Sequence, residues 1–427
     1  MCISRRFLAV GLLFGILVCS ATAAPSGYRW RKGAVLISIS SSITSNAANI
    51  AAGADASAAI DRSVAAWQQV AAVTIRRVAT TEENVSPPGV QGDGISLITI
   101  AATPENLALF PKGLDDATAR TRVFYDGRGS ITEADVVLNP YLQFSTDGTF
   151  GTFDLESTIT HELGHVLGLG HSPVLGATMN ASQGRNGTFN LPAFSARTLA
   201  ADDIAAIRSL YGPAENGDEC CARISGRLNA GARSGANYIV WAEDKETGRV
   251  LAAVKTTSDG TFKIGGLDDG RVELFAQSDL DDTSNTSAVD LGSYAVSPAR
   301  PIVIARRLDT IAAGSKPEYL GFNGQLAGLS VSINSGSTYD LSIGGVDLTR
   351  NPEVGSDSAL ISVRNSPTRG TYANGLETLG FYVSAAPETP IGEYSIFVEF
   401  ETGVRRYVIG GLTVETYPNF WSVTPVR

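Results

Sequence analysis

The stretch HELGHVLGLGH, from His161 to His171, decides how this sequence is interpreted. The chain has 427 residues but only three histidines, and all three lie in this stretch. Residues four apart share one face of a helix, so His161 and His165 are predicted to point two imidazoles at one place. Gly168 can take the left-handed conformation that ends a helix, and the chain can then return His171 toward the same place.

Three converging imidazoles predict a zinc site of the catalytic kind, because three protein ligands leave the fourth tetrahedral position open. Glu162 lies one position round the helix, where its carboxylate can reach a water on the ion without being a ligand. Such a carboxylate can take a proton from the water and later return it to a leaving group. The pattern therefore predicts one zinc ion on His161, His165 and His171, with Glu162 as general base and acid. Ordinary helical histidines are the alternative, but these residues at fixed places are rare by chance.

Composition restricts the class of protein and its partners. Hydrophobic residues make up 43% of the chain and charged residues 18%, which is typical of globular domains. The formal net charge of −10 argues against nucleic acid or an anionic membrane as a partner. The length predicts more than one domain.

The N-terminus predicts export. Arg5 and Arg6 precede a twelve-residue apolar run, and small residues follow, so we expect a signal peptide over 1–24. No later stretch reaches the length of a membrane span, so the mature protein is expected to be secreted, with attachment at a cell surface as an alternative. The mature chain would keep only Cys220 and Cys221, which are expected to be unpaired or bonded to another chain rather than to each other.

Hydrophobic periodicity and turn signals divide residues 25–427 into three domains and a linker. Residues 25–212 mix strand and helix patterns, including helices over Asp55–Val70 and Leu199–Gly212. Short alternating strands with turn signals predict a β-sandwich over 213–277. Residues 278–300 are polar and lack periodicity, which predicts a linker. Strand patterns return over 301–427 and predict a second, immunoglobulin-like sandwich.

HELGHVLGLGH matches the H-E-x-x-H-x-x-G-x-x-H motif of metzincin metalloproteases at every defined position. Ser172 after the third histidine makes the segment resemble the matrixin branch. The resemblance implies an α+β zincin domain, with a twisted mixed sheet, an active-site helix and a C-terminal helix. It also implies that Met179 forms the methionine turn beneath the zinc and that Asp203 tethers this turn. For Asp202, a solvated place at the helix N-terminus is the alternative.

The residues outside the histidine motif restrict which further metal ions the chain is expected to bind. The structural zinc of animal matrixins needs further histidines, and none remain in this chain. Calcium is a weaker expectation, because oxygen ligands are available but no ligand loop is recognisable. Its candidate ligands are Asp126, Glu133, Asp135, Asp147 and Asp154.

The sequence therefore predicts a secreted, matrixin-like zinc endopeptidase followed by two all-β sandwich domains, the first resembling carboxypeptidase-regulatory-like or transthyretin-like modules. Its partner is expected to be a protein or peptide substrate, and the β domains are expected to bind a surface or substrate or to act as spacers. A surface-binding or adhesive protein with a catalytically silent metal site is the alternative. Glu162 argues against it, because a silent site has no use for a base beside the water.

Overall fold

The computed structural model describes most of the chain. The described residues are 27–31, 33–44, 47–87, 92–187, 195–214, 220–231, 233–280, 286–309, 311–313, 316–322, 325–348, 352–372 and 374–415. The predicted signal peptide, 1–24, lies outside them, as do the last residues of the predicted third domain, 416–427. Within the described ranges, every helix is too short or too polar to cross a membrane.

A five-stranded sheet forms the frame of the first domain. Its strands are β1 (Val35–Ser40), β2 (Ile75–Thr80), β3 (Ser96–Thr99), β4 (Ala119–Tyr125) and β5 (Ile131–Leu138). Their order is β2-β1-β3-β5-β4; β4 runs antiparallel to β5 and the other neighbours are parallel. The sheet is therefore mixed, and β4 is an edge strand with backbone groups available for pairing. Two short parallel strands, β6 (Phe144–Ser145) and β7 (Phe153–Asp154), lie outside this sheet.

The described part of the first domain also contains five helices. They are α1 (Ser41–Thr44), α2 (Ala56–Val70), α3 (Pro104–Leu107), α4 (Leu155–Val166) and α5 (Ala201–Tyr211), with 3-10 turns at Gly113–Asp115 and Ser195–Arg197. Asp55 caps α2 by accepting a hydrogen bond from the Ala58 amide at 2.9 Å. Trp67 of α2 is fully buried and donates from its indole nitrogen to the Thr160 carbonyl of α4 at 2.9 Å. Helix α2 thus supports the helix that carries the histidines.

The second domain is a sandwich of two sheets. Its strands are β8 (Ala222–Ala230), β9 (Arg233–Ser234), β10 (Tyr238–Asp244), β11 (Val250–Lys255), β12 (Thr261–Leu267), β13 (Gly270–Ser278), β14 (Val289–Val296) and β15 (Ile302–Leu308). One sheet has the order β11-β10-β13-β14 and the other β12-β8-β15, with β9 paired to β8. Ile224, Val240 and Leu274 belong to one shared core, so the two sheets face each other.

Two boundaries predicted from sequence are wrong. The predicted linker, 278–300, contains β14, which pairs with β13 along most of its length. The residues of β15 were assigned to the third domain, but this strand runs parallel to β8 and closes the second sandwich. Strand β14 lies at a sheet edge with only Leu291 and Val296 buried, so its sequence lacks the alternation expected of a strand. The second sandwich therefore ends near 308 rather than 277.

The third domain is a larger sandwich. Its strands are β16 (Lys316–Phe322), β17 (Gln325–Ala327), β18 (Val331–Asn334), β19 (Thr338–Val346), β20 (Glu353–Gly355), β21 (Ile361–Thr371), β22 (Glu377–Ala385), β23 (Gly392–Glu399) and β24 (Arg405–Glu415). They form sheets in the orders β17-β16-β19-β22-β21 and β18-β24-β23-β20. Phe381 and Ile396, one from each sheet, are fully buried in the shared core.

The cysteine prediction is also wrong. Cys220 and Cys221 are bonded to each other, and the peptide bond between them is cis. This arrangement holds the two neighbouring Cα atoms 3.1 Å apart.

Candidate metal centre

Helix α4 presents the first two histidines. Asp154 caps this helix by accepting a hydrogen bond from the Ser157 amide at 2.8 Å. His161 and His165 lie one turn apart, and their Nε2 atoms are 3.1 Å from each other. The helix ends after Val166, where Gly168 adopts a φ of +94°.

Gly168 is required at this place for two reasons. Its positive φ is unfavourable for residues with a side chain. A Cβ atom here would also lie 2.1 Å from the Tyr28 carbonyl oxygen, so the N-terminal segment packs directly on the turn. The same segment donates from the Trp30 indole to the Val166 carbonyl at 2.8 Å. The turn is therefore fixed from both sides before the chain reaches His171.

The third histidine completes a three-nitrogen cluster. The Nε2 atom of His171 is 3.2 Å from that of His165. Zinc–nitrogen bonds of about 2.0–2.1 Å in a tetrahedral arrangement place neighbouring nitrogens about 3.3 Å apart. Among the residues that the structure describes, these three histidines are the group of side chains with ligand atoms close enough to hold a metal ion.

Hydrogen bonds fix which nitrogen is available to a metal ion in the rings of His161 and His165. The Nδ1 atom of His161 is 2.7 Å from the Thr178 carbonyl, and that of His165 is 2.9 Å from the Leu169 carbonyl. A carbonyl can only accept, so each Nδ1 carries the hydrogen and each Nε2 keeps its lone pair. Burial lowers the pKa of all three histidines to about 4, which keeps the rings neutral at neutral pH. Neutral rings with converging lone pairs are the donor set that suits zinc.

Glu162 lies beside this cluster. Its side chain is only 4% exposed. Thr121, on the edge strand β4, lies with its hydroxyl 2.5 Å from Oε2 of Glu162. Burial raises the pKa of Glu162, and the hydrogen bond from Thr121 opposes this shift. The carboxylate is thus held against the edge strand β4.

Met179 packs directly beneath the histidine helix. It is 2% exposed, and a Cβ atom on Gly164 would lie 2.2 Å from its sulfur. Gly164 therefore leaves the space that Met179 fills. Asp203 accepts hydrogen bonds from the amides of Thr178 at 2.8 Å and Met179 at 3.0 Å, so its carboxylate holds the turn that contains the methionine.

Asp202 is buried rather than solvated, so the alternative interpretation for this residue is excluded. Its carboxylate accepts from the Ser172 hydroxyl at 2.5 Å and from the Ala253 amide at 2.6 Å. Burial and the neighbouring charge of Asp203 raise its pKa to about 7. Asp202 thus connects the residue after the third histidine to β11 of the second domain.

The five candidate calcium ligands make separate hydrogen bonds and ion pairs. Asp154 forms an ion pair with Arg197 at 2.5 Å. Asp126 and Asp147 accept hydrogen bonds within their own turns. Glu133 and Asp135 accept amide hydrogen bonds from residues 94–97 and from Ser86. Within the described residues these carboxylates do not form a group that could hold a metal ion.

Sequence reasoning missed three residues of the site. Thr121 contacts Glu162, Gly164 accommodates Met179, and Thr178 accepts from His161. Gly164 stands inside the histidine motif and in the interior of a predicted helix, which was a usable signal for close packing. Thr121 and Thr178 act through contacts 41 and 17 residues away in sequence, and no local pattern indicates them.

Comparisons with known proteins agree with this geometry over part of the chain. The Matrixin family model matches residues 121–212. Metalloendoproteinase 1 of Glycine max is 48% identical over 64 residues, which are 14% of this chain and 17% of that protein. The interstitial collagenase of Oryctolagus cuniculus is 28% identical over 163 residues, which are 38% of this chain and 30% of that protein. The chain thus spans less than a third of the length of these relatives.

Among solved structures, the major pilin subunit BcpA of Bacillus cereus covers 45% of this chain and 69% of its own, at 12% identity and a TM-score of 0.15. A score this low carries no information about fold or function. The family model covers the segment that contains the histidines and Met179. Residues 121–212 are therefore similar to the Matrixin family, and the chain is similar in part to a plant metalloendoproteinase and to an interstitial collagenase.

Proposed function

We propose that this protein is a zinc-dependent endopeptidase that hydrolyses peptide bonds. His161, His165 and His171 hold one zinc ion, and Glu162 is the general base and acid. The observation that carries the proposal is the convergence of three neutral Nε2 atoms beside a buried carboxylate. The match of residues 121–212 to the Matrixin family model and the partial similarity of the chain to metalloendoproteinases support the same reaction class.

Zinc in such a site lowers the pKa of a bound water to about 7 and polarises the carbonyl of a peptide. The protein supplies the rest of the chemistry. Glu162 takes a proton from the attacking water and donates it to the nitrogen of the leaving amine. Thr121 holds the carboxylate in place for both transfers. Met179 and Asp203 fix the floor beneath the histidines.

The substrate is a polypeptide that lies extended along strand β4. Strand β4 is an edge strand beside Glu162, and edge strands bind extended peptides through their free backbone groups. Residues 1–24 have the features of an export signal, so we infer that the enzyme acts outside the cytoplasm.

The test is cleavage of a mixed peptide library by the mature full-length protein, analysed by mass spectrometry. A Glu162→Ala variant and a chelator-treated sample serve as controls, and the zinc content of wild type and variant is measured. We expect wild-type cleavage that the chelator abolishes, and a variant that retains zinc but does not cleave. A zinc-loaded wild type that cleaves no peptide and no protein would contradict the proposal and favour a binding function.

A further inference from the structure

The loop between the third histidine and Met179 is enclosed by both β domains. This loop, residues 172–178, is called the histidine–methionine loop below. Val174 in its centre is fully buried, and the Leu175 amide donates to the Ile409 carbonyl of β24 at 2.9 Å. The loop therefore contributes to an interface between domains rather than to the protein surface.

The enclosing surface is an apolar cluster drawn from all three domains. Val174, Ala177 and Ala200 come from the first domain and pack with residues of the two sandwiches. Those from the second domain are Ile239, Trp241, Val250, Ala253 and Phe275, and those from the third are Phe397, Tyr407 and Ile409. Trp241 is fully buried, and its ring stacks on Phe275 with a centroid separation of 5.3 Å. A contiguous buried cluster of this kind fixes the groups it encloses far more firmly than a flexible tether could.

The backbone of the third domain is shaped to accept the loop. The register of β23 and β24 shifts opposite Tyr394 and Ile396, so β24 bulges at this place. Gly410 in the bulge adopts a φ of +61°, and a Cβ atom there would lie 2.4 Å from Cγ1 of Val174. The bulge leaves the Ile409 carbonyl free to accept the hydrogen bond from Leu175.

The second domain fixes the other end of the loop. Asp202 joins the Ser172 hydroxyl to the Ala253 amide of β11. Strand β11 is at the edge of its sheet, so this amide has no strand partner on that side. Ser172 follows the third histidine directly, and Thr178 at the far end of the loop accepts from His161. Contacts at both ends of the loop thus lie next to the metal ligands.

We propose that the two β domains are part of the metal centre's framework: by enclosing the histidine–methionine loop they hold His171 and the Thr178 carbonyl in the positions that zinc binding requires. Residues such as Gly410 and Ile409 are therefore positioning residues that act through the loop. This inference rests on the proposed zinc site, but not on turnover of any substrate.

The test measures zinc release from the full-length protein to an excess of chelator, together with the visible spectrum of the Co²⁺-loaded protein. Gly410→Ala places a methyl group against Val174. Gly403→Ala is the matched control, because Gly403 also has a positive φ (+75°) in the third domain but nothing within 4 Å of its Cβ position. Adding Val174→Ala to Gly410→Ala removes the atom that the new methyl group would approach most closely, Cγ1 of Val174, and leaves the Cβ atom of Glu393 at 3.3 Å.

We expect Gly410→Ala to release zinc about tenfold faster or more, the size of effect seen when partners of metal ligands are altered, and to change the Co²⁺ spectrum. Gly403→Ala should behave as wild type, and the double variant should recover slow release. Equal release rates for Gly410→Ala and Gly403→Ala would overturn the proposal.

A second pair of variants, with smaller changes in volume, provides the test if Gly410→Ala does not fold. Ile409→Val and Ile396→Val each remove one methyl group from a buried isoleucine of the third domain, but only Ile409 contacts the histidine–methionine loop cluster. Faster zinc release from Ile409→Val alone supports the proposal, and equal rates overturn it. A wild type that binds zinc without cleaving peptides refutes the proposed function and leaves this comparison intact, whereas a wild type that binds no zinc refutes both.

Discussion

Replacing Thr121 with valine should slow peptide cleavage without releasing the metal. The Thr121 hydroxyl is 2.5 Å from Oε2 of Glu162, and the hydrogen bonds of His161 and His165 are made to other residues. Valine has nearly the same shape as threonine but lacks the hydroxyl. Because Glu162 is only 4% exposed, the carboxylate loses a partner that bulk water cannot readily replace.

The magnitude follows from the type of hydrogen bond. A hydrogen bond to a charged group contributes about 1.5–3 kcal/mol, and each 1.36 kcal/mol in the barrier is a factor of about ten in rate. Loss of the hydroxyl also makes the carboxylate a stronger base, which recovers part of the rate. We therefore expect kcat to fall about tenfold, well short of the roughly 10²–10⁴-fold that a general base contributes in total.

The assay separates kcat from KM on a peptide identified in the library screen, with zinc content measured for each variant. Thr121→Ser keeps the hydroxyl and should retain most of the wild-type kcat, while Thr121→Val should lower kcat with little change in KM. A Thr121→Val variant with wild-type kcat would refute the claim that this hydroxyl positions Glu162. A variant that loses zinc would refute the claim that its role is confined to the carboxylate.

Two further predictions concern packing and pH. Gly164→Ala gains about 1 kcal/mol in helix propensity, but its methyl group would lie 2.2 Å from the Met179 sulfur and 2.9 Å from the Trp67 ring, and overpacking costs about 1–3 kcal/mol. Urea unfolding should thus show a net loss of stability that a Met179→Ala background relieves; a more stable single variant would contradict this. For Asp202, the folded protein holds the proton up to about pH 7 whereas the unfolded chain releases it near 3.8, so wild-type stability falls as the pH rises through this interval. The difference between the unfolding free energies of Asp202→Asn and wild type should therefore rise with pH, by at most about 1.4 kcal/mol per pH unit, and level off above about pH 7. A difference that does not change with pH would contradict the raised pKa of Asp202.

The clustering of the three histidines was predictable because their relative positions depend on local geometry. A four-residue spacing on a helix brings His161 next to His165, and a glycine at position 168 permits the turn that returns His171. Met179 and Asp203 were accessible only through the resemblance to a family, since neither residue has a local signal of its own. Thr121 was inaccessible by either route, because its contact with Glu162 depends on how strand β4 packs against helix α4.

The domain boundaries failed for a related reason. Strand patterns are recognised from alternation, and alternation requires that one face of a strand be buried along its length. Strand β14 at a sheet edge buries only Leu291 and Val296, so its sequence has the composition of a linker. Strand β15 is clearly a strand, but the sequence does not reveal that its partner is β8, about 80 residues earlier.

The same limitation explains why the β domains were expected to be appended modules. Each sandwich has its own core, and a core of that kind is compatible with an independent spacer. The β domains contact the region of the metal centre through a separate apolar cluster, which includes Val174, Trp241 and Ile409. Apolar side chains of this kind are favoured at any buried position. Because an apolar residue does not indicate which domain it packs against, the interface between the domains could not be predicted from the sequence. The separate cores thus divide the chain into three domains. The contacts around the histidine–methionine loop join these domains beside the proposed metal site.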